Sequence, residues 1–280
     1  MDTHFTQLRP DLTIHQAEIF HTNTGILKTA EGFILVDPAF TQADFERIAA
    51  FTQPQPILAG FSTHAHYDHL FWSSLFGDET PRYCSEGTLR QVTHYRKEIV
   101  DEFLAPFNNP FNVNQCFSDK HLALLSSISV GLHYLPAISV EVVAIPGHLQ
   151  GQTAFLFPDF QTLFAADTLS NTEPPSIESS RQSLHDYLET LETLGELIGQ
   201  LAWIVPGHGD PADPSEAKAR LEMDRRYLEA LYALQIQDFS EGIEAQARSF
   251  LQRIGEPRAN SSDSWQIHLQ NLQAAYGWLN

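Results

Sequence analysis

One stretch constrains this chain more than any other: Ile57-Leu58-Ala59-Gly60-Phe61-Ser62-Thr63-His64-Ala65-His66-Tyr67-Asp68-His69. A short apolar run bounded by Pro56 and ending in a polar cluster reads as a buried strand. It leads into three histidines and an aspartate within six positions, and the apolar Leu70-Phe71-Trp72 follows at once. Neutral imidazole and carboxylate are the ligands that suit zinc, iron or manganese. Extended alternation would send His64, His66 and Asp68 to one side, with a turn bringing His69 round beside them. Four ligands this dense could hold more than one ion.

The chain supplies further candidates in order, each closing an apolar run. Val36-Asp37-Pro38 ends the strand-like Phe33-Ile34-Leu35-Val36. Ile138 to Ile145 alternates and delivers Pro146-Gly147-His148. Thr153–Phe157 and Thr162–Ala165 read as a hairpin across Pro158-Asp159-Phe160, leading to Asp167. Trp203-Ile204-Val205 leads to Pro206-Gly207-His208-Gly209. Candidate ligands thus sit just past strand carboxyl ends, where mixed α/β sheets place their sites.

The pattern His-x-His-x-Asp-His at 64–69, followed by His148, by Phe164-Ala165-Ala166-Asp167-Thr168 and by His208, resembles the metallo-β-lactamase-fold superfamily from about Asn23 to His208. The resemblance implies an α/β fold, a four-layer αββα sandwich, here with an added helical C-terminal region. It implies one metal site from His64, His66 and His148, and a second from Asp68, His69 and His208. Asp167 would bridge them, and Asp37 would steady the ligand loop from behind. The cofactors implied are two divalent metal ions, with zinc expected and iron or manganese as the alternatives. A metal-held hydroxide would then attack an ester, thioester or lactone bond of a small molecule, with Asp68 orienting it or taking its proton. A mononuclear-iron sulfur dioxygenase of the same fold keeps all seven positions and is the alternative reading. A non-catalytic binding module would be expected to have lost ligands, and none is missing.

Two departures touch the residues that back the ligands. The residue before Asp167 is usually glycine in the superfamily and is Ala166 here. After His148 the chain reads Leu149-Gln150-Gly151-Gln152 rather than the commoner Thr or Ser followed by glycine. Glyoxalase II-like thioesterases carry a Gly-Arg element after the bridging aspartate. Here Arg181 follows Ser180, a candidate to hold an anionic substrate.

Composition narrows the partners. A net charge of −19 over 280 residues argues against nucleic-acid binding through phosphates, including the RNA-processing branch of the superfamily, and against an anionic membrane surface. Cys84 and Cys116 are too few for a disulfide framework and are expected to pack. Met1–Pro10 lacks a signal-peptide apolar core, and no run approaches the ~18 apolar residues of a membrane span. The expectation is therefore a cytoplasmic enzyme with a small-molecule substrate, with homo-oligomerisation open.

Local patterns complete the reading. Thr41 should cap a helix bearing Phe45, Ile48 and Ala49. Leu70–Phe76 reads as a short buried helix ending at Gly77 and aiming its N–H groups at the ligand loop, and Glu86–Val100 as one helix. His94, His121 and His133 are background. Tyr67, His185 and Tyr187 are read as packing or oxyanion-assisting side chains. The aperiodic insert at about 103–135 is expected to form a lid. Leu184, Tyr187, Leu188, Leu191 and Leu194 mark a helix from Ser183. The division expected is a core over 1–212 and a helical extension over 213–280.

Overall fold

Phenylalanines from two facing β-sheets fill the centre of the molecule. The computed structural model describes residues 4–107, 116–178, 180–234 and 242–277. The first sheet takes its strands in chain order: β1 (Phe5–Arg9), β2 (Leu12–Gln16), β3 (Asn23–Lys28), β4 (Phe33–Val36), β5 (Ile57–Phe61), β6 (Arg82–Cys84) and β7 (Leu125–Ser127). It is antiparallel through β4 and parallel from β4 to β7. Helices α1 (Gln42–Thr52), α2 (Tyr67–Leu70), α3 (Glu86–His94), α4 (Arg96–Phe107) and α5 (Asp119–Ala123) lie in the connections. The second sheet comprises β8 (Gly131–Leu135), β9 (Ile138–Ala144), β10 (Thr153–Phe157), β11 (Thr162–Phe164) and β12 (Trp203–Val205), with β12 parallel to β11 at one edge. Helix α6 (Arg181–Ile198) precedes β12, and α7 (Pro214–Tyr232), α8 (Ile243–Ile254) and α9 (Ser262–Gly277) follow it.

Strand alternation builds the layers. Ile34 and Val36 of β4 face the second sheet and meet Phe61, Phe155, Phe157 and Phe164 in the inter-sheet core. Phe33 and Leu35 of the same strand face outward onto Phe45, Ile48 and Ala49 of α1. The outer face of the second sheet presents Ala154, Leu156, Leu163 and Ile204 to Leu184, Leu191 and Leu194 of α6 and to Leu221 and Leu228 of α7. Over the middle of each sheet both faces are covered, which is why β4 and β10 are buried along their whole length, while β1, β7 and β8 at the edges keep exposed residues. The order is helix, sheet, sheet, helix, and α7 to α9 share the core of the second outer layer.

Thr41 caps α1 as expected, its hydroxyl accepting the Asp44 N–H. Three local expectations change. The stretch 70–76 is not one helix: α2 begins at Tyr67 and ends at Leu70, and a separate 3-10 turn covers Ser74–Phe76. Residues 86–100 form two helices, broken at Tyr95 (φ −115°, ψ 27°). In the expected insert, residues 116–135 supply α5, β7 and β8, edge strands of both sheets. Its centre, 108–115, lies outside the described residues, and the lid expectation falls there. No helix among the described residues is long and apolar enough to cross a membrane.

Candidate metal centre

Every candidate ligand lies past the carboxyl end of a strand, on one rim of the sandwich. His64 and His66 follow β5, His148 follows β9, Asp167 follows β11, and His208 follows β12. Asp68 and His69 do not continue the extended run. His66 occupies the N-cap of α2, and the helical turn beginning at Tyr67 carries Asp68 and His69 into a second group beside the first, the His69 ring lying 4.3 Å from that of His64. Two groups result: His64, His66, His148 and Asp167, and beside it Asp68, His69 and His208, each with ligand atoms mutually within 4.8 Å. Asp167 also spans the gap. Its Oδ2 lies 3.5 Å from His64 Nε2, 3.3 Å from His148 Nε2 and 3.3 Å from His208 Nε2, while Oδ1 lies 3.2 Å from His69 Nε2.

Outer hydrogen bonds decide which way each imidazole offers its lone pair. His148 Nδ1 donates to Ser176 O (3.0 Å) and His208 Nδ1 to Phe20 O (3.0 Å), and neither carbonyl can donate back. His69 Nδ1 donates to Asp37 Oδ2 (3.0 Å). The Thr63 hydroxyl donates to the same Asp37 oxygen (2.7 Å), so its oxygen accepts from His64 Nδ1 (3.1 Å). In their neutral forms these four imidazoles therefore turn unprotonated Nε2 atoms inward. His64 Nε2 and His148 Nε2 each sit 3.1 Å from His66 Nδ1, and His69 Nε2 sits 3.2 Å from His208 Nε2. Converging lone pairs, with Asp167 Oδ1 buried and lacking a hydrogen-bond partner, leave a gap in the electrostatics that a cation closes. The donor set of imidazole and carboxylate fits divalent metal ions.

Charge adds to the same picture. Burial pushes His148 down to about 4 and His66 well below its usual range, with the neighbouring histidines reinforcing the shift of His66. Burial opposes protonation of His208 too, but Asp167 and Glu173 outweigh it and raise His208 to about 10. His69 is raised in the same way by Asp68, Asp167 and Asp37 against its burial. Burial works to raise Asp68 and Asp167, yet the adjoining histidines hold both carboxyls below their usual range.

Asp37 lies behind the candidate ligands: Oδ1 accepts the Thr63 N–H (2.8 Å) and Oδ2 accepts from His69 (3.0 Å). Arg181 is exposed in the first turn of α6, its guanidinium 4.9 Å from the ring centroid of Tyr232. Tyr187 is buried, and its hydroxyl donates to Asp167 O (2.8 Å). His94 bonds to its own helix at Arg90 O, and His133 to Ser129 O. His121 caps α5, and His185 is exposed near Glu189.

The two departures now have physical readings. Ala166 adopts φ 48°, a left-handed conformation that costs a non-glycine residue about 1–2 kcal/mol, so glycine is the natural occupant there. Gln152 reaches behind Asp167, its amide donating to Ile145 O (3.2 Å) and its oxygen accepting the Asp167 N–H (3.4 Å). Gly147 has φ +127°, and a Cβ on it would meet Tyr187 Cα at 2.5 Å, so His148 depends on this close approach to α6.

Some participants carried no sequence signal. Thr22 is fully buried and donates to Asp68 Oδ2 (3.0 Å). Asn23 ties Pro206 O (2.9 Å) and Gly209 O (2.7 Å), on either side of His208. Glu173, in the segment after Asp167, is pushed up to about 7 by burial and by the Asp167 and Asp68 carboxylates, with His208 opposing.

The αββα order and this rim of histidine and aspartate define a class: the chain has the metallo-β-lactamase fold. A curated relative named as a probable metallo-hydrolase, from Streptococcus pyogenes serotype M6, is 22% identical over 200 residues, covering 67% of this chain and 78% of that one. A metallo-β-lactamase family protein of Thermus thermophilus superposes with a TM-score of 0.64 at 18% identity, over 96% of this chain and 93% of its own. A β-lactamase domain protein from Burkholderia ambifaria gives 0.64 at 17% identity, over 98% and 88%. No protein-family model matches the chain.

Proposed function

We propose that this protein is a metal-dependent hydrolase that holds two zinc ions and opens an ester, thioester or lactone bond of a small molecule. The observation that carries the reading is Asp167, whose two oxygens lie 3.2–3.5 Å from four histidines of both groups. Divalent cations held there would activate a water towards a pKa near 7 and polarise the scissile carbonyl.

The chain's own groups do the rest. Asp68 turns Oδ2 towards His69 and His208 (3.2 and 3.6 Å), and Thr22 fixes that oxygen, so the second oxygen is the one available to orient a water and take its proton. Asp37 and the carbonyls of Phe20 and Ser176 keep His69, His208 and His148 in the ligating tautomer. Neither thiol competes as a nucleophile: burial pushes Cys84 and Cys116 up to about 12. The name of the Streptococcus relative supports hydrolysis over the iron oxygenase reading.

Metal analysis of protein purified without added metal, followed by a panel of neutral esters, lactones and thioesters, tests the proposal. Two zinc ions per chain and metal-dependent turnover are expected. One iron with thiol-dependent oxygen uptake would overturn it. Asp167→Ala is expected to abolish turnover and lower metal content, and His94→Ala to do neither; wild-type turnover in Asp167→Ala would remove the bridging role.

A further inference from the structure

The segment between Asp167 and α6 is pinned from behind by the C-terminal helices. Asn271 of α9 brackets it, its amide donating to Pro175 O (2.6 Å) and its oxygen accepting the Ile177 N–H (3.2 Å). Arg258, beyond α8, donates to Ser170 O (2.9 Å) and to Asp224 Oδ1 (2.6 Å), while Asp224 Oδ2 accepts the Leu169 N–H (3.2 Å). Arg220 of α7 donates to Leu169 O (3.3 Å). Glu256 grips Arg258 from its other side (2.8 Å). With backbone groups held at residues 169, 170, 175 and 177, this wall of the site is fixed rather than mobile.

Glu173 lies in the middle of that wall. It borders a small cavity shared with Asp167, Ser176 and Tyr187. It also borders a cleft of about 440 Å³ between the 18–21 loop, Asn171–Thr172 and the start of α9. The cleft adjoins His208, because Phe20 O accepts from His208 Nδ1 and the Asn171 side chain accepts the Asp210 N–H (2.8 Å). Among the described residues the Glu173 carboxylate has no hydrogen-bond or ion-pair partner, although His208, Asp167 and Asp68 are close enough to act on its charge. Glu173 is half-buried at the edge of this cleft, so water meets its carboxylate in the free protein and a donor group of a ligand can take that water's place. The cleft lining includes Glu18 and Asp263 and neither lysine nor arginine. Arg181, the cation that the sequence offered for an anionic substrate, packs on Tyr232.

We propose that Glu173 is a substrate-contacting residue, held over the metal centre by the C-terminal helices, that accepts a hydrogen bond from a donor group of the substrate, an ammonium in the strongest case. This deepens the hydrolase reading and rests on it for the identity of the site. Substrates carrying an ammonium, amide or hydroxyl donor are selected on the 171–173 side, and a carboxylate there is repelled. The helices beyond 213 then build part of the site rather than only covering the core.

The test is calorimetric titration of the zinc-loaded full chain with benzylammonium and, for comparison, benzyl alcohol. Wild type is expected to bind benzylammonium about tenfold tighter than the alcohol, the scale of a charge-assisted hydrogen bond. Glu173→Gln should lower the affinity for benzylammonium about tenfold, leave that for the alcohol within about twofold, and keep the metal content. Asn271→Ala, which releases Pro175 and Ile177 without touching Glu173, should weaken benzylammonium binding on its own and add nothing in the Glu173→Gln background. Equal affinity of the two probes for wild type, unchanged benzylammonium affinity in Glu173→Gln, or loss of metal from that variant would each overturn the proposal. Because the readout is binding rather than turnover, its failure is separable from failure of the ester and lactone panel.

Discussion

A methyl group added to Gly207 should separate folding from metal binding. Gly207 precedes His208, donates its N–H to Ala166 O (2.6 Å) and accepts the Asn23 N–H (2.7 Å). Its backbone is outside the left-handed region, so alanine can adopt it without strain. Space is the only objection. The new Cβ would stand 2.0 Å from Asp167 Oδ1 and 2.9 Å from His69 Cε1, where ordinary contact begins at 3.4 Å. The carboxylate must retreat by more than an ångström. For the metal-free fold the cost is modest: the 3.2 Å ion pair of Asp167 Oδ1 with protonated His69 is weakened and Ala166 C at 3.1 Å must give slightly, against which stands the entropic gain of about 0.4–1 kcal/mol for Gly→Ala. For the metal it is not cheap, since zinc–carboxylate bonds of about 2.0–2.2 Å do not stretch that far. Gly207→Ala is therefore expected to unfold in chelator within about 1 kcal/mol of wild type. Its zinc affinity should fall at least tenfold to a hundredfold, about 1.4–2.8 kcal/mol. Competition against a chromophoric chelator reads the affinity, and thermal denaturation in chelator reads the fold. Wild-type zinc affinity would refute the placement of Asp167 between the two groups; a collapsed metal-free fold would mean that the clash is with backbone and the reasoning is wrong.

Two further outcomes follow from the hydrogen bonds and charges behind the ligands. Asp37→Ala removes the acceptor of His69 Nδ1–H and of the Thr63 N–H; it should weaken zinc about tenfold to a hundredfold and cost about 1–3 kcal/mol of stability, and an unaffected metal affinity by the same chelator assay would remove Asp37 from the site. In metal-free protein His208, raised to about 10, and His69, also raised, carry protons at neutral pH. Their stabilising contribution is complete below the unfolded value of about 6.5 and is lost as pH rises through the folded value, so the melting temperature in chelator should fall from about pH 7 towards pH 10. Zinc must displace those protons, so its affinity should rise with pH, with at least about one proton released per chain at pH 7 when calorimetry is run in buffers of different ionisation enthalpy. No release would show that both imidazoles are already neutral.

The candidate ligands are legible in the sequence because they follow strands with a readable period, and strand ends are where the backbone is both rigid and free to turn. Orientation was less legible. Alternation placed Asp68 with His64 and His66, whereas the chain leaves the extended state at Tyr67, a change that no apolar period announces. The edge strands β7 and β8 were hidden for a related reason. Leu125–Ser127 is too short to show alternation, and it is fixed by pairing with β6, more than forty positions away. Thr22 and Glu173 stand in no motif; only the packing of a distant segment brings Thr22 to Asp68, and only the fold of the loop after Asp167 brings Glu173 back beside it.

Backbone strain shows what the rest of the fold is for. Among the described residues, the non-glycine positions with left-handed backbone are Phe20, His21, Asp37, Ala39, Gln161, Ala166 and Leu169. All but Gln161 lie in the loops that carry or back the candidate ligands: 20–21 against His208, 37–39 behind His69, and 166–169 around Asp167. Each such conformation costs on the order of 1 kcal/mol and persists only where its surroundings over-determine it. Here the surroundings are identifiable. The Phe61, Phe155, Phe157 and Phe164 layer fixes the strands from which these loops spring. Asp224, Arg258 and Arg220 fix Leu169 from the helical side. A chain needing only to fold would relax these turns with glycine, as the superfamily commonly does at position 166. Keeping side chains in them aims Asp37 at His69 and sets Asp167 between the two histidine groups. The strain is therefore concentrated where ligand direction matters, and the helices after residue 213 are among the elements that sustain it.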